Sequence, residues 1–329
     1  MVQVNRRELW LSLLSASVVA GLGQQTYAQQ HGKLPRIAYV SNSKPNDYRV
    51  KLWRTALSEL GYAPNRNIEI KYFYYTNVNE LPQVVSEVIA SRPDIIMSLF
   101  TPTTLALKRA TTSIPVVFSN IADPTASGIV ENLSAPGGNI SGVSIMTSDI
   151  ADQRLQILTQ LAPRAKRIAA LYNPGNAAGK PQLSKALDAS RALGVDLRPI
   201  EARGSDDWNA LLETLVQEGI QALFFVTDQT FVHHREQIAA AALKFRLPSI
   251  LDHPKQAAAG GLATYGPDYD YHYVRAAHYV ARVLNGDWPG NLPVEQPMKF
   301  ELYINLNTAR ALGVTIPVKL RIQATKLIE

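Results

Sequence analysis

The side chains best suited to hold a small polar solute fall directly after short apolar, β-branched runs. Ser41 and Asn42, with Ser43, follow Arg36 to Val40. Thr101, Thr103 and Thr104 follow Asp94 to Leu99. Ser119, Asn120 and Asp123 follow Pro115 to Phe118. Further on, Asn173 follows Ala165 to Leu171, Thr227 and Asp228 follow Ala222 to Val226, and Asp252 follows Leu247 to Leu251. In open α/β sheets ligands sit outside the carboxyl ends of strands, near helix N-termini, which makes these residues candidate ligand-binding groups. The hydroxyls and free backbone N–H groups at Thr101–Thr104 suit a carboxylate. Thr101 equally suits an N-cap, and the two roles are compatible. Asp228 or Asp252 could pair with an amino group or cap the next helix. Asn173 to Asn176 is turn chemistry first and a ligand loop second. Tyr265 opens a tyrosine-rich segment ending at Tyr273, which suits either an aromatic wall or packing at a domain edge.

Catalytic and metal chemistry find no such foothold. There is no G-x-S-x-G elbow and no Walker lysine motif, so no catalytic residue is assigned. His233 and His234 are adjacent, so on a helix they point about 100° apart. No His-x-x-x-His pair has a glutamate beside it and there is no cysteine, so neither a metal site nor a cofactor is expected. Basic and acidic residues are interleaved around a net charge of +6, without the Lys/Arg block that tracks phosphates, so nucleic acid is not an expected partner.

The elements that must position these residues alternate along the chain. Strands are expected at 36–40, 67–74, 94–99 and 115–118, with helices at 47–60, 81–91 and 103–111 between them. The pattern repeats with strands at 165–171, 196–200, 222–226, 247–251 and 262–265, and helices at 179–193, 206–218 and 230–245. Continuous apolar strands separated by helices mark a parallel sheet covered on both faces. The fold class expected is α/β, with two doubly wound parallel-sheet lobes: residues 34–143 and residues 144–266. Pro136-Gly137-Gly138-Asn139 is turn chemistry between them, and Ile140 to Val143 suits a crossover strand. A helix at 271–284 and a late strand at 298–306 follow, then a short helix at 307–312. Part of 267–306 is expected to complete the first lobe, making a multi-strand hinge, with 267–329 as return segment and tail.

The N-terminus reads as a cleavable signal, residues 1–28. Arg6 and Arg7 precede an apolar run from Leu9 to Leu22, and Thr26-Tyr27-Ala28 places small residues at a cleavage site. The run is shorter than the about 20 residues of a membrane span. The arginine pair loosely fits a twin-arginine signal, leaving the export route open. Without cysteine there is no acylation site, so the expected product is periplasmic and not a lipoprotein.

An ordered set of segments resembles the ABC-transporter substrate-binding protein family that includes tryptophan-binding receptors. The set comprises Leu60-Gly61-Tyr62, Arg92-Pro93-Asp94-Ile95-Ile96, Thr101-Pro102-Thr103-Thr104, Ser113 to Phe118, Asp123-Pro124, Pro136 to Gly142, Tyr172-Asn173-Pro174 and Gly260 to Gly266. The resemblance implies a type I periplasmic-binding-protein fold, a small-molecule ligand between the lobes, and an ABC permease as partner. The expected protein is a monomer that touches a membrane complex only peripherally and captures an amino acid or related carboxylate. Two other classes stay open: a sensory module for a membrane kinase and an exported α/β enzyme.

Overall fold

A computed structural model describes residues 33–42, 46–204 and 207–329. The expected signal segment and Ser43 lie outside the described residues. The first half supplies β1 (Arg36–Ser41), α1 (Tyr48–Glu59), β2 (Glu69–Tyr74), α2 (Leu81–Ala90), β3 (Ile95–Leu99), α3 (Thr101–Ala110), β4 (Val116–Ile121) and β5 (Ile140–Ser144). The five strands form one parallel sheet in the order β2-β1-β3-β4-β5.

Side chains alternate across a strand, so a strand covered on both faces needs apolar residues at every position. Ile37 and Tyr39 pack with Trp53 and Leu57 on one face. Their neighbours Ala38 and Val40 pack with Val84, Val88 and Leu107 on the other.

The second half supplies α4 (Ala151–Leu161), β6 (Arg167–Tyr172), α5 (Gly179–Leu193), β7 (Asp196–Glu201), α6 (Trp208–Gln217), β8 (Ala222–Phe225), α7 (Gln229–His233), α8 (Arg235–Lys244), β9 (Ser249–Leu251), α9 (Pro254–Ala258) and β10 (Ala263–Pro267). The chain then makes α10 (Tyr269–Leu284), β11 (Phe300–Asn305), α11 (Leu306–Leu312), α12 (Val318–Gln323) and β12 (Lys326–Ile328). The second sheet runs β12-β11-β10-β9-β8-β6-β7, parallel throughout except where β11 lies antiparallel to β10. The architecture is therefore α/β with two parallel-sheet lobes.

The return segment divides between the two lobes. The late strand does not join the first sheet; β11 pairs with β10 in the second. It is α10 that crosses back, packing Tyr273, Ala276, Ala277 and Val280 into the core around Trp53 and Leu57. Residues 292–295 then line up beside β5. Ser141 donates to Leu292 O at 2.6 Å, and Glu295 N to Gly142 O at 2.9 Å. The chain thus passes between lobes three times: after β5, after β10, and between Glu295 and Phe300. Glu295 ties these passages together. Its carboxylate takes Arg275 Nε and Nη2, each at 2.8 Å, and Tyr271 Oη at 3.1 Å, while its carbonyl accepts from Ser144 N at 2.8 Å.

Three further differences are local. The helix expected over 230–245 breaks at His234 into α7 and α8. The helix expected from residue 206 begins at Trp208, because Asp207 caps it by accepting from Asn209 N and Ala210 N. Helices α4, α9 and α12 and the short strand β12 had no counterpart in the sequence pattern. Among the described residues no helix is long and apolar enough to cross a membrane.

Candidate functional site

The carboxyl ends of β1, β3 and β4 in the first lobe face loops of the second, and backbone strain collects at that edge. Phe100, which precedes α3, has φ 69° and ψ 150°. Asn120 has φ 59°, and Met146, on the first passage between lobes, has φ 42°. Asparagine tolerates a left-handed backbone; phenylalanine rarely does, and such positions cost about 1–3 kcal/mol. No side chain caps α3, so its first N–H groups remain open.

Several candidate residues are engaged within the protein. Thr103 Oγ1 lies 2.7 Å from Tyr75 Oη, and Thr104 Oγ1 lies 2.7 Å from Ser98 Oγ. Thr101 is the first residue of α3 and not its cap, which is Phe100. Asp123 holds the turn after it, accepting from Thr125 Oγ1 and Ala126 N, both at 3.0 Å. Asp228 caps α7 through Thr230 N at 2.7 Å and also accepts from Asn173 and Asn176. Asn173 in turn closes an Asx turn with Gly175 N. Tyr265 donates to Gln153 within the second lobe. Asp252 is no cap; His253 caps α9, while Asp252 accepts from Tyr269 Oη at 2.5 Å. Ser41 is buried, its carbonyl accepting from Tyr75 N at 3.3 Å.

A second set, largely absent from the sequence reading, carries buried polar atoms with no hydrogen-bond partner. In the first lobe these include Tyr39 Oη, Asn42 Oδ1 and Arg49 Nη1, while the Asn120 side chain engages Tyr273 Oη. In the second they include His253 Nε2 and Gln256 Nε2. Buried polar groups are normally paired, because an unpaired one costs about 1–3 kcal/mol. A group of them at the edge between two lobes is the chemistry expected where a polar solute or water inserts.

Arg49 sits in the first turn of α1, pointed by its neighbour. Asp47 caps the helix through Arg49 N at 2.9 Å and takes Arg49 Nε at 3.1 Å and Nη2 at 3.3 Å. Nη1 is left over, on a side chain only 6 % exposed. The guanidinium carbon lies 5.7 Å from the Tyr273 ring centre and 6.0 Å from that of Tyr48. Across the boundary, Lys255 Nζ lies 4.7 Å from the same Tyr48 ring, which brings the two lobes into contact.

His253 is 2 % exposed and stacks on Tyr269 at 4.5 Å. Its Nδ1 accepts from Lys255 N at 3.1 Å, so the neutral ring carries its proton on Nε2, an unpaired donor. Burial pushes its pKa well below the usual histidine value, and the charges of Arg49, Lys255 and Arg235 push the same way. Burial likewise lowers His272. A histidine depressed in the folded state binds fewer protons there than in the unfolded chain once pH falls below about 6.5. Stability from the neutral form is complete above that pH and declines below it, by up to about 1.4 kcal/mol per pH unit for each of His253 and His272. The urea midpoint is expected to fall between pH 7.5 and 5.5, and His253→Gln to flatten that fall. An unchanged slope in the variant would contradict a neutral buried His253.

Between the lobes a groove of about 490 Å³ opens beside the start of α3. Leu81, Thr101, Leu105 and Arg109 line it from the first lobe, Asn176 and Ala177 from the second. Among the described residues no cluster of three metal-ligating side chains occurs.

Comparison with known proteins agrees with the two-lobed α/β fold. A family model described as ABC transporter substrate binding protein matches residues 43–328. A tyrosine-binding protein of Clostridioides difficile is 29% identical over 262 residues, covering 79% of this chain and 74% of that protein. Among solved structures, a conserved domain protein from Vibrio cholerae superposes with TM-score 0.82 at 27% identity, covering 90% of this chain and all of that one. A Streptococcus pneumonia domain solved in complex with L-Trp superposes equally well, with TM-score 0.82 at 23% identity and the same coverage.

Proposed function

This chain belongs to the ABC transporter substrate-binding protein family, and from that premise we propose that it captures an amino acid or related carboxylate between its lobes and presents the closed form to an ABC permease. The observation that carries this reading is the set of unpaired buried donors and acceptors at the lobe boundary, held by Asn42, Arg49 and His253. The relative that is named for tyrosine supports an amino acid as ligand.

The mechanism is closure about the three inter-lobe passages. A ligand shifts an open–closed equilibrium only as far as it binds the closed form better. Groups contributed by both lobes make that difference, since a ligand on one lobe alone meets half of them. Capture requires no bond to be made or broken. The reading places the mature protein in the periplasm, as a monomer, with the permease reading lobe surfaces that closure brings into register.

Isothermal titration of the purified mature chain tests this. The expected result is saturable, one-to-one binding of at least one of the twenty L-amino acids, with no product formed. Binding restricted to neutral sugars, or turnover of the titrant, overturns it.

A further inference from the structure

We propose that the ligand's carboxylate is clamped across the lobe boundary, by Arg49 Nη1 from the first lobe and His253 Nε2–H from the second. This deepens the receptor reading and rests on it. It moves the anion anchor away from the Thr101–Thr104 helix start, where two of three hydroxyls are spent on Tyr75 and Ser98.

Four observations support the assignment. Both side chains are more than nine-tenths buried, and each has one polar hydrogen-bonding atom without a partner. Both unpaired atoms are donors, so no rotation pairs them with each other, whereas a carboxylate accepts from both. Each is locked by local bonds that leave that atom over: Asp47 holds Arg49 by Nε and Nη2, and the α9 cap holds His253 by Nδ1. Finally, the two segments meet at the boundary, since one ring, that of Tyr48, lies 6.0 Å from the Arg49 guanidinium carbon and 4.7 Å from Nζ of Lys255, two residues beyond His253.

The charges on both faces give the clamp its consequence. Arg49, Lys255 and Arg235 are cationic there; Asp47 is paired with Arg49, Glu236 with Arg235 at 2.6 Å, and Asp270 accepts from Tyr48 Oη at 2.8 Å, which leaves Lys255 and Arg49 Nη1 to meet the ligand. Bringing Arg49 up to Lys255 repels, and an anion between the lobes offsets that repulsion. Closure therefore favours a carboxylate over its neutral amide. A site built to hydrogen-bond one group rejects the analogue lacking it far more strongly than an apolar pocket rejects a methylene.

Calorimetry with L-tyrosine and L-tyrosinamide decides the matter. Wild type is expected to prefer the acid by about 100-fold or more. Arg49→Gln is expected to weaken acid binding by about 100-fold and to leave the two ligands within about tenfold of each other. His253→Gln probes the other lobe and is expected to weaken acid binding by about tenfold without changing amide binding. Melting curves confirm that each variant is folded. If either folded variant keeps the full acid preference, the clamp is wrong and the receptor reading stands. If wild type binds neither, the L-amino acid that does bind and its amide take the place of this pair with the same expected ratios, and a wild type that binds no L-amino acid overturns the receptor reading and the clamp with it. If wild type binds both equally, the receptor survives and the carboxylate clamp does not.

Discussion

Replacing Gly142 by alanine is expected to cost more than about 4 kcal/mol and to leave the first lobe unable to close its sheet. Gly142 pairs with Phe118 in the β4–β5 ladder, at φ 156°. A Cβ there would lie 2.0 Å from Phe118 O, 2.6 Å from its N and 2.8 Å from its C. All three are backbone atoms of the neighbouring strand, so no side chain can swing aside. The close approach matters because β5 is the last strand before the first inter-lobe passage, and Gly142 O also receives Glu295 N. Gly137→Ala is the control. It too has positive φ, at 67°, but its added Cβ would meet nothing within 4 Å, so about 1 kcal/mol is expected. Chemical denaturation compares the two. A Gly142→Ala protein as stable as the Gly137→Ala protein would show that β4 and β5 are not packed this closely.

Much of this architecture was legible in the residue pattern, for a physical reason. Strands buried on both faces must be apolar without alternation, so Ile95 to Leu99 and Ala222 to Phe225 announce themselves, and the helices between them follow. Helix α4 escaped because its buried positions, such as Arg154, include a polar residue that breaks the apolar stripe. Helix α9 escaped because it is a five-residue turn held by the His253 cap and not by periodicity. The late strand was visible, but strand pairing over long separations is not; only the fold places β11 beside β10.

The candidate site was legible only in part. The rule that ligands sit beyond strand ends singles out Asn42, whose Oδ1 is buried without a partner, and Asn120, whose side chain engages Tyr273 Oη. It also collected Asp123, Asn173 and Asp228, whose carboxylates and amides are consumed by turns and caps, the ordinary work of those residue types. It passed over Arg49 and His253. An arginine in a helix's first turn looks like any surface charge, and only the opposite lobe and the Asp47 pairing make it a buried donor. The nearest signal was the acidic cap two residues before it.

The second large effect concerns Asp252, a candidate for an amino-group partner that the structure commits elsewhere. Asp252→Ala is expected to destabilise the protein by about 3–5 kcal/mol. Its carboxylate accepts from Tyr269 Oη and supplies the negative charge that most favours the cation of Arg154, which has no exposed surface. Arg154 donates to Phe225 O and to Thr227 Oγ1 at 3.2 Å, and its guanidinium carbon lies 4.9 Å from the Phe224 ring centre; Nε has no partner. Burial pushes Asp252 up and Arg154 down, and each charge opposes the other's shift. Removing the carboxylate leaves a buried cation and a buried hydroxyl without their anion. The cost of such a deletion is mostly that of the orphaned charge, so removing both partners together should cost less than the sum of the single losses. Asp252→Leu combined with Arg154→Met is expected to recover at least about 2 kcal/mol relative to additivity. Strict additivity in that cycle would show that the two charges are not coupled. The same loop carries His253, and a Cβ on Gly266 would lie 2.2 Å from Asp252 O, so the loop is wedged against the strand that leads into the second inter-lobe passage. Asp252→Ala should therefore weaken acid binding as well as stability, whereas the double variant, with its loop still packed, should regain binding along with the fold.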